Sequence, residues 1–356
     1  MTLFYLYFAV FVILLWIPVI YLYCRFSYKK VKEGFQSSYL DTLNKHKTEG
    51  HFPFRYLCDE KQNILPIVLV AAFFRSDKER ALYDEYIKHG IKVVGITAYK
   101  TFPKPITDKT GDLDTKNDPF DYYGKIQNWL SCFDNPSHYG LGSSHQIANI
   151  SESDFYDAES SKVADKDKKY DFVYVCLKDD DQCSMDGWNA VNRNFKLAME
   201  CFPIMIHEMG LSVLVIGRTN CGLEKLYGDK IVVKDFLPYH EFQQVLRESR
   251  ILFVPNVYDA SPRVISESLI KGLPVLLNRG IVCGAKYITD ETGELFFDQH
   301  DVRLSIEKLL AKKNRIDPQK WWKEHYSRQS SGKKLKNILN DWYPNVLTHV
   351  SEVYFY

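Results

Sequence analysis

Continuous apolar runs alternate with amphipathic stretches along most of this chain, and their lengths assign the elements. Residues 64–72 (ILPIVLVAA) are apolar throughout, as a strand buried on both faces must be. Ser76 and Glu79 have capping-box spacing, which predicts a helix through Leu82, Tyr86 and Ile87 ending near Gly90. Residues 91–99 read as the next strand, and this β-α-β rhythm implies a parallel sheet. Residues 101–121, rich in Pro, Asp, Lys and Thr, read as a long loop, and 122–133 as a helix. The charged stretch 151–169, ending KVADKDKKYD, reads as a linker.

The pattern is cleaner from Tyr170 onward. Strands are predicted at 171–177, 211–216, 230–237, 250–255 and 274–278. A helix over 191–209 places Phe195, Ala198, Met199, Phe202, Ile206 and Met209 on one face, with a bend at Pro203 and a stop at Gly210. Further helices are predicted at 241–248 and at 262–271, the second ending at Gly272. This succession predicts a second Rossmann-like unit. The expected organisation is an anchor (1–24), a stalk (25–63), an N-terminal Rossmann-like domain (64–165), a C-terminal domain (166–313) and a helical tail (314–356).

Residues 2–24 (TLFYLYFAVFVILLWIPVIYLYC) contain no charge. About 20 apolar residues cross the hydrocarbon core, so a single transmembrane helix is expected. Arg25, Lys29, Lys30 and Lys32 follow it, which by the positive-inside rule places the remainder on the cytosolic side. The formal net charge of +1 gives no basic footprint for nucleic acid. The eight cysteines are scattered, without zinc spacing, and reduced thiols are the expectation. The sequon Asn149-Ile-Ser151 points weakly the other way.

The stretch 259–276, DASPRVISESLIKGLPVL, carries the chemistry. Asp259 falls in the loop after a buried strand and Glu267 on the helix that follows. Ser261 suits the N-cap and Pro262 the first helical position. Free N–H groups at such a start favour anions, and Arg263 adds a full positive charge. Carboxylates beside an anion site can accept hydrogen bonds from sugar hydroxyls. Taken alone, Asp259 and Glu267 also fit a solvated loop and an exposed helix face.

This stretch resembles the E-x7-E signature of the retaining family-four glycosyltransferases, with Asp259 at the first Glu and Glu267 at the second. LSVLVIGR, KIVVKDFLPYHEFQQVL, SRILFVPN and GIVCGAKYITDETGELF follow in the family's order. The match covers about 170–312. It implies a GT-B fold: two Rossmann-like domains facing a cleft. It also implies transfer of a sugar from a nucleotide-diphosphate sugar, with retention and with no metal or other cofactor. By resemblance Glu267 holds the donor ribose and Asp259 the transferred sugar, one methylene shorter than the family's Glu. Ser261, Pro262 and Arg263 line the diphosphate, and Phe236 and Leu237 flank the base. Lys178 fills the first of the family's two basic places. Asp186 stands where the second is usually Lys, for which Arg263, Arg193 or Arg218 can compensate.

The N-terminal domain should hold the acceptor, whether glycan, lipid-linked or protein. His145, His138, Asp154 and Arg75 are its candidates, and Trp129 is expected in the core. Two alternatives remain. One is an inactive GT-B relative acting as a membrane-bound partner. The other is a metal-dependent GT-A enzyme using Asp179, Asp180 and Asp181, since carboxylates at a strand end suit a hard cation.

Overall fold

The computed structural model describes residues 43, 52–97, 102–104, 118–158, 168–259, 262–312 and 314–356. The expected span at 2–24 and Ser261 lie outside the described residues. Among the described residues no helix is long and apolar enough to cross a membrane.

The first lobe begins with β1 (Phe54–Asp59) and β2 (Ile64–Val70), which pair antiparallel. Helix α1 (Asp77–Lys88) and β3 (Lys92–Thr97) follow. Then come a single turn, α2 (Tyr122–Lys125), β4 (Asn128–Ser131) and β5 (Gln146–Asn149). Strands β2 to β5 are parallel neighbours in sequence order. Alternate side chains of β2 face opposite ways, as strand geometry requires. Val68 and Val70 meet Tyr83 and Tyr86 of α1, while Ile67 and Leu69 point to the other face.

The second lobe comprises β6 (Tyr170–Val175), α3 (Trp188–Asn192), α4 (Phe195–Pro203), β7 (Val213–Ile216), α5 (Leu223–Tyr227), β8 (Ile231–Lys234), α6 (Tyr239–Glu248), β9 (Ser249–Val254), α7 (Arg263–Leu269), β10 (Val275–Asn278), β11 (Gly293–Phe296) and α8 (Val302–Lys312). Its sheet is parallel in the order β11-β10-β9-β6-β7-β8. Phe172 and Tyr174 of β6 pack on one face with Phe195, Phe202 and Ile306. Val173 packs on the other with Val245, Ile265 and Trp322. Fully burying each such side chain contributes roughly 1.5–3 kcal/mol.

In the last segment α9 (Pro318–His325) packs on the second lobe through Trp321 and Trp322, while α10 (Arg328–Trp342) and β12 (Val353–Phe355) return to the first lobe. Leu335 and Leu339 cover Ile67 and Leu69, and β12 pairs with β1. Within the stretch expected as a helical tail (314–356), α9 thus joins the second lobe, and α10 and β12 supply a layer and an edge strand to the first.

Several other expectations change. The stalk expected to reach residue 63 contains β1, whose FRYLCD has no long apolar run. The helix expected at 122–133 is one turn followed by β4. Ser76 sits at the N-cap of α1 without a side-chain cap bond, and Glu79 accepts from the Arg75 N–H instead. The helix expected at 191–209 breaks at Asn194, whose backbone is left-handed (φ 48°), a conformation Asn tolerates. Cys183 and Cys221 are disulfide-bonded, which corrects the expectation of reduced thiols for that pair.

Candidate functional site

The second lobe's strand order reverses between β6 and β9. Chain leaving β6 enters α3 and α4 on one face of the sheet, whereas chain leaving β9 enters α7 on the other. A crevice must open between them, and such crevices at the carboxyl ends of parallel strands are where open α/β sheets bind ligands.

Arg193 and Asp259 meet in this crevice. Arg193 ends α3, where the Tyr174 hydroxyl donates to its carbonyl at 3.0 Å. Its guanidinium forms an ion pair with the Asp259 carboxylate, and both side chains are largely covered. The Asn256 amide donates to the same carboxylate at 3.1 Å. Tertiary structure thus joins residues far apart in sequence.

Glu267 is the next acidic group. Its α7 position places Arg263 and Lys271 one turn away on either side, within reach along the helix. Only 8% of its surface is exposed. Burial pushes its carboxyl above the ordinary range, opposed by the charges of Lys271 and Arg263. Arg263 is exposed at the start of α7. Pro262, at the N-cap, is buried against the Gly284 turn. A Cβ at Gly284 would come within 2.9 Å of Ile265 Cδ1 and 3.0 Å of Pro262 Cγ, and its φ of +114° also favours glycine.

Arg218 is a correction. It has no exposed surface and cannot touch a donor. Its Nη2 lies 3.0 Å from Asp179 Oδ2, its Nε donates to Cys176 Sγ at 3.2 Å, and its guanidinium lies 4.7 Å from the centre of the Phe195 ring. It braces the loop after β6.

The acidic triplet is spent in that same loop. Asp179 accepts from the N–H groups of Asn189 at 2.7 Å and Ala190 at 3.0 Å. Gly187 makes this possible, because a Cβ there would fall 2.3 Å from Asp179 Cγ. Asp180 accepts from Gln182 and Ser184 N–H groups, and Asp181 pairs with Lys178 at 3.1 Å. Among the described residues no group of His, Cys, Asp or Glu is placed to hold a metal. The two-lobed fold corrects the GT-A reading of this triplet. Lys178 stands exposed after β6, its ammonium held charged by Asp181. Asp186 is exposed. Phe236, 69% exposed, and the half-buried Leu237 follow β8 at the same sheet edge.

His145 is also corrected. It precedes β5, at the amino ends of the parallel strands, and bonds the Tyr123 carbonyl at 3.0 Å. The cleft lies at the opposite, carboxyl ends. Asp154, 1% exposed, ties the lobes together. It accepts from the Tyr287 hydroxyl at 2.5 Å and from Lys286 Nζ at 2.9 Å. His138 is exposed in the turn after β4, Arg75 lies over the Phe52 ring, and Trp129 is fully buried in the core. The sequence reading missed Asn256, Tyr156 and Asp134. Asp134 follows β4, and burial raises its carboxyl, opposed by the Ala285 N–H and by Lys286. Tyr156 and Asp134 belong to no short motif, and Asn256 ends the segment SRILFVPN, but only the fold shows its amide on Asp259.

No family model matches the chain, and no curated protein matches its sequence. Solved structures match it in shape. The apo lipopolysaccharide outer core galactosyltransferase WaaB gives a TM-score of 0.54 at 13% identity, over 77% of this chain and 75% of its own. The GtfA/B complex gives 0.53 at 11% identity, over 75% of this chain and 56% of the other. TarM of S. aureus, in complex with Fondaparinux, alpha-GlcNAc-glycerol and UDP, gives 0.48 at 15% identity, over 71% of this chain and 52% of its own. This chain thus spans about half the length of the TarM chains it matches. The two α/β lobes and the likenesses to WaaB and the GtfA/B complex define a GT-B fold.

Proposed function

We propose that this chain is a glycosyltransferase that moves a hexose-type sugar from a nucleotide-diphosphate sugar to an acceptor, with retention and without a metal. The observation that carries the reading is the gathering of Arg193, Asp259, Glu267 and Arg263 around the crevice between β6 and β9 of a GT-B lobe. Glu267 would accept from the ribose hydroxyls and Asp259 from the transferred sugar. Ser261, Pro262 and Arg263 would line the diphosphate, with Phe236 and Leu237 beside the base. Arg193 precedes the long helix α4 and takes the basic role missing at Asp186, with Lys178 as the outer cation.

In the reaction the bond from the anomeric carbon to the phosphate oxygen breaks. The acceptor oxygen bonds that carbon on the same face, and its proton passes to the departing phosphate. Arg193 and Arg263 offset the charge that develops on the leaving group, the kind of preorganised stabilisation worth 10²–10³ in rate.

Location is part of the proposal. Residues 2–24 would anchor the chain with its lobes on the cytosolic side, facing a lipid-linked or membrane-proximal glycan or protein acceptor. The Cys183–Cys221 disulfide favours an oxidising compartment instead. Thiol labelling of the freshly extracted native protein separates the two: a labelled pair supports the cytosolic side.

The test of function is nucleoside-diphosphate release from a panel of nucleotide sugars by the full chain, with EDTA present. Turnover in EDTA, lost in Glu267→Ala and reduced at least 100-fold in Arg193→Ala, is expected. Tight donor binding without turnover would instead favour an inactive partner, a reading supported by Asp259 in place of the family's Glu and Asp186 in place of its Lys. No binding by any member of the panel would overturn both.

A further inference from the structure

Asn256 follows β9 where the chain turns from the sheet into the crevice. Its neighbours hold it on both sides. Pro255 is buried and has a fixed φ, and the Val257 carbonyl accepts from the Val282 N–H at 3.0 Å. Asn256 itself is buried, with 3% of its surface exposed. Its amide donates to Asp259 Oδ2 at 3.1 Å, and that same oxygen takes Arg193 Nη1. A side chain that merely stitches a loop bonds nearby backbone groups, as Asp180 does with the Gln182 and Ser184 N–H groups. Asn256 instead bonds a carboxylate that already has its cation. Donors from separate elements meeting at one oxygen fix how the carboxylate is turned. Arg193 presents its N–H groups in one plane, so the turn of the carboxylate also sets the plane of the guanidinium. Water is a poor substitute for the amide, because the Asp259 side chain is only 12% exposed.

We propose that Asn256 is a positioning residue of the reaction centre: its amide fixes the Asp259 carboxylate against Arg193 and so aims the guanidinium at the departing phosphate. The inference rests on the glycosyltransferase reading above and adds to it an uncharged group that the reading does not use. Asn256 is buried behind the ion pair, so it acts through Asp259 and Arg193.

The experiment uses the full chain, with UDP and GDP as probes in calorimetry and, for kinetics, the donor that turns over in the panel. Asn256→Leu removes the amide at similar size. Expected are a fall in kcat of about 30-fold and a nucleoside-diphosphate Kd within about twofold, because the aim of Arg193 counts most as charge develops on the leaving group. Added to Arg193→Ala, the same change should cost less than about threefold more, since the group it aims is gone. Asn256→Asp supplies a pH signature. Its carboxyl faces Asp259, and like charges raise one pKa of such a pair. At low pH the shared proton stands in for the amide, whereas at high pH the second carboxylate repels Asp259 and competes for Arg193. The kcat of Asn256→Asp should be within about threefold of wild type near pH 5 and at least about tenfold below it near pH 8.

Asn256→Leu turning over like wild type would overturn the proposal. So would an Asn256→Asp profile parallel to wild type, or a loss in Asn256→Leu undiminished beside Arg193→Ala. A fall in Tm with kcat unchanged would assign the amide to the loop and overturn it equally. Should Asn256→Leu not fold, the Asn256→Asp profile decides. If the wild type binds neither probe and turns over no donor, the glycosyltransferase reading itself fails and the proposal falls with it.

Discussion

The two lobes bury their sheets in the same way, between helices on both faces, but differ in strand order. In the first, β2 to β5 follow one another across the sheet, and the antiparallel strands β1 and β12 close one edge. Successive crossovers add strands on one side, so no crevice opens between neighbours. In the second, the order turns back at β6 and β9, and the helices that follow them diverge. Similar layers therefore give one lobe a ready cleft and the other a wall. The shared layering matters less here than the single reversal that sets Arg193 against Asp259.

That contrast can be broken most forcefully at Arg218. It is wholly buried against Asp179, and Arg218→Ala leaves a covered carboxylate without its cation. A loss of about 3–5 kcal/mol is expected, read by chemical denaturation, with donor binding lost as the loop after β6 collapses. Retained stability would mean that the loop is braced elsewhere, for example by the Cys183–Cys221 bond.

A smaller effect of opposite sign belongs to Glu267. Its folded carboxyl lies above the ordinary 4.5 because of burial, so its proton is favoured by folding. The stability linked to that proton is fully present below the unfolded value and is lost as pH rises through the folded one. Glu267→Gln should therefore raise Tm at neutral pH by about 1–3 °C, roughly 1 kcal/mol at this size, while weakening donor binding. Below pH 4 the two proteins should melt alike. Equal melting at pH 7 would show that Lys271 and Arg263 already compensate the buried charge.

The smallest effect is expected at His145, on the side of the first lobe away from the cleft. His145→Ala should change stability by less than about 0.5 kcal/mol and leave donor KM and kcat within twofold in the same assay. A hundredfold fall in kcat would bring the first lobe's amino-end loops into the chemistry and undo the comparison.

Legibility in the sequence followed the same division. The second lobe's strands are short apolar runs flanked by turns, and burial on both faces writes that pattern directly. Asp259, Glu267 and Arg263 share one local stretch and so were found together. The antiparallel strand β1 and the edge strand β12 were missed because FRYLCD and the three-residue VYF offer no long apolar run. The stretch 122–133 was taken for a helix because a short apolar run such as NWLSCF does not separate strand from helix by period. Arg193 was weighed only as a substitute, since its partner lies 66 positions away. Arg218 was assigned to the donor because nothing local reveals that Asp179 and Cys176 enclose it.

The return of α10 and β12 to the first lobe has a consequence for biosynthesis. Domains of multidomain chains commonly fold in order as they leave the ribosome. Here the lobe made first lacks Leu335, Leu339 and the β1-pairing strand until the whole second lobe has been translated. The lobe made second can settle earlier, and a stop at position 327 would strip the first lobe of an edge strand and much of a helical layer.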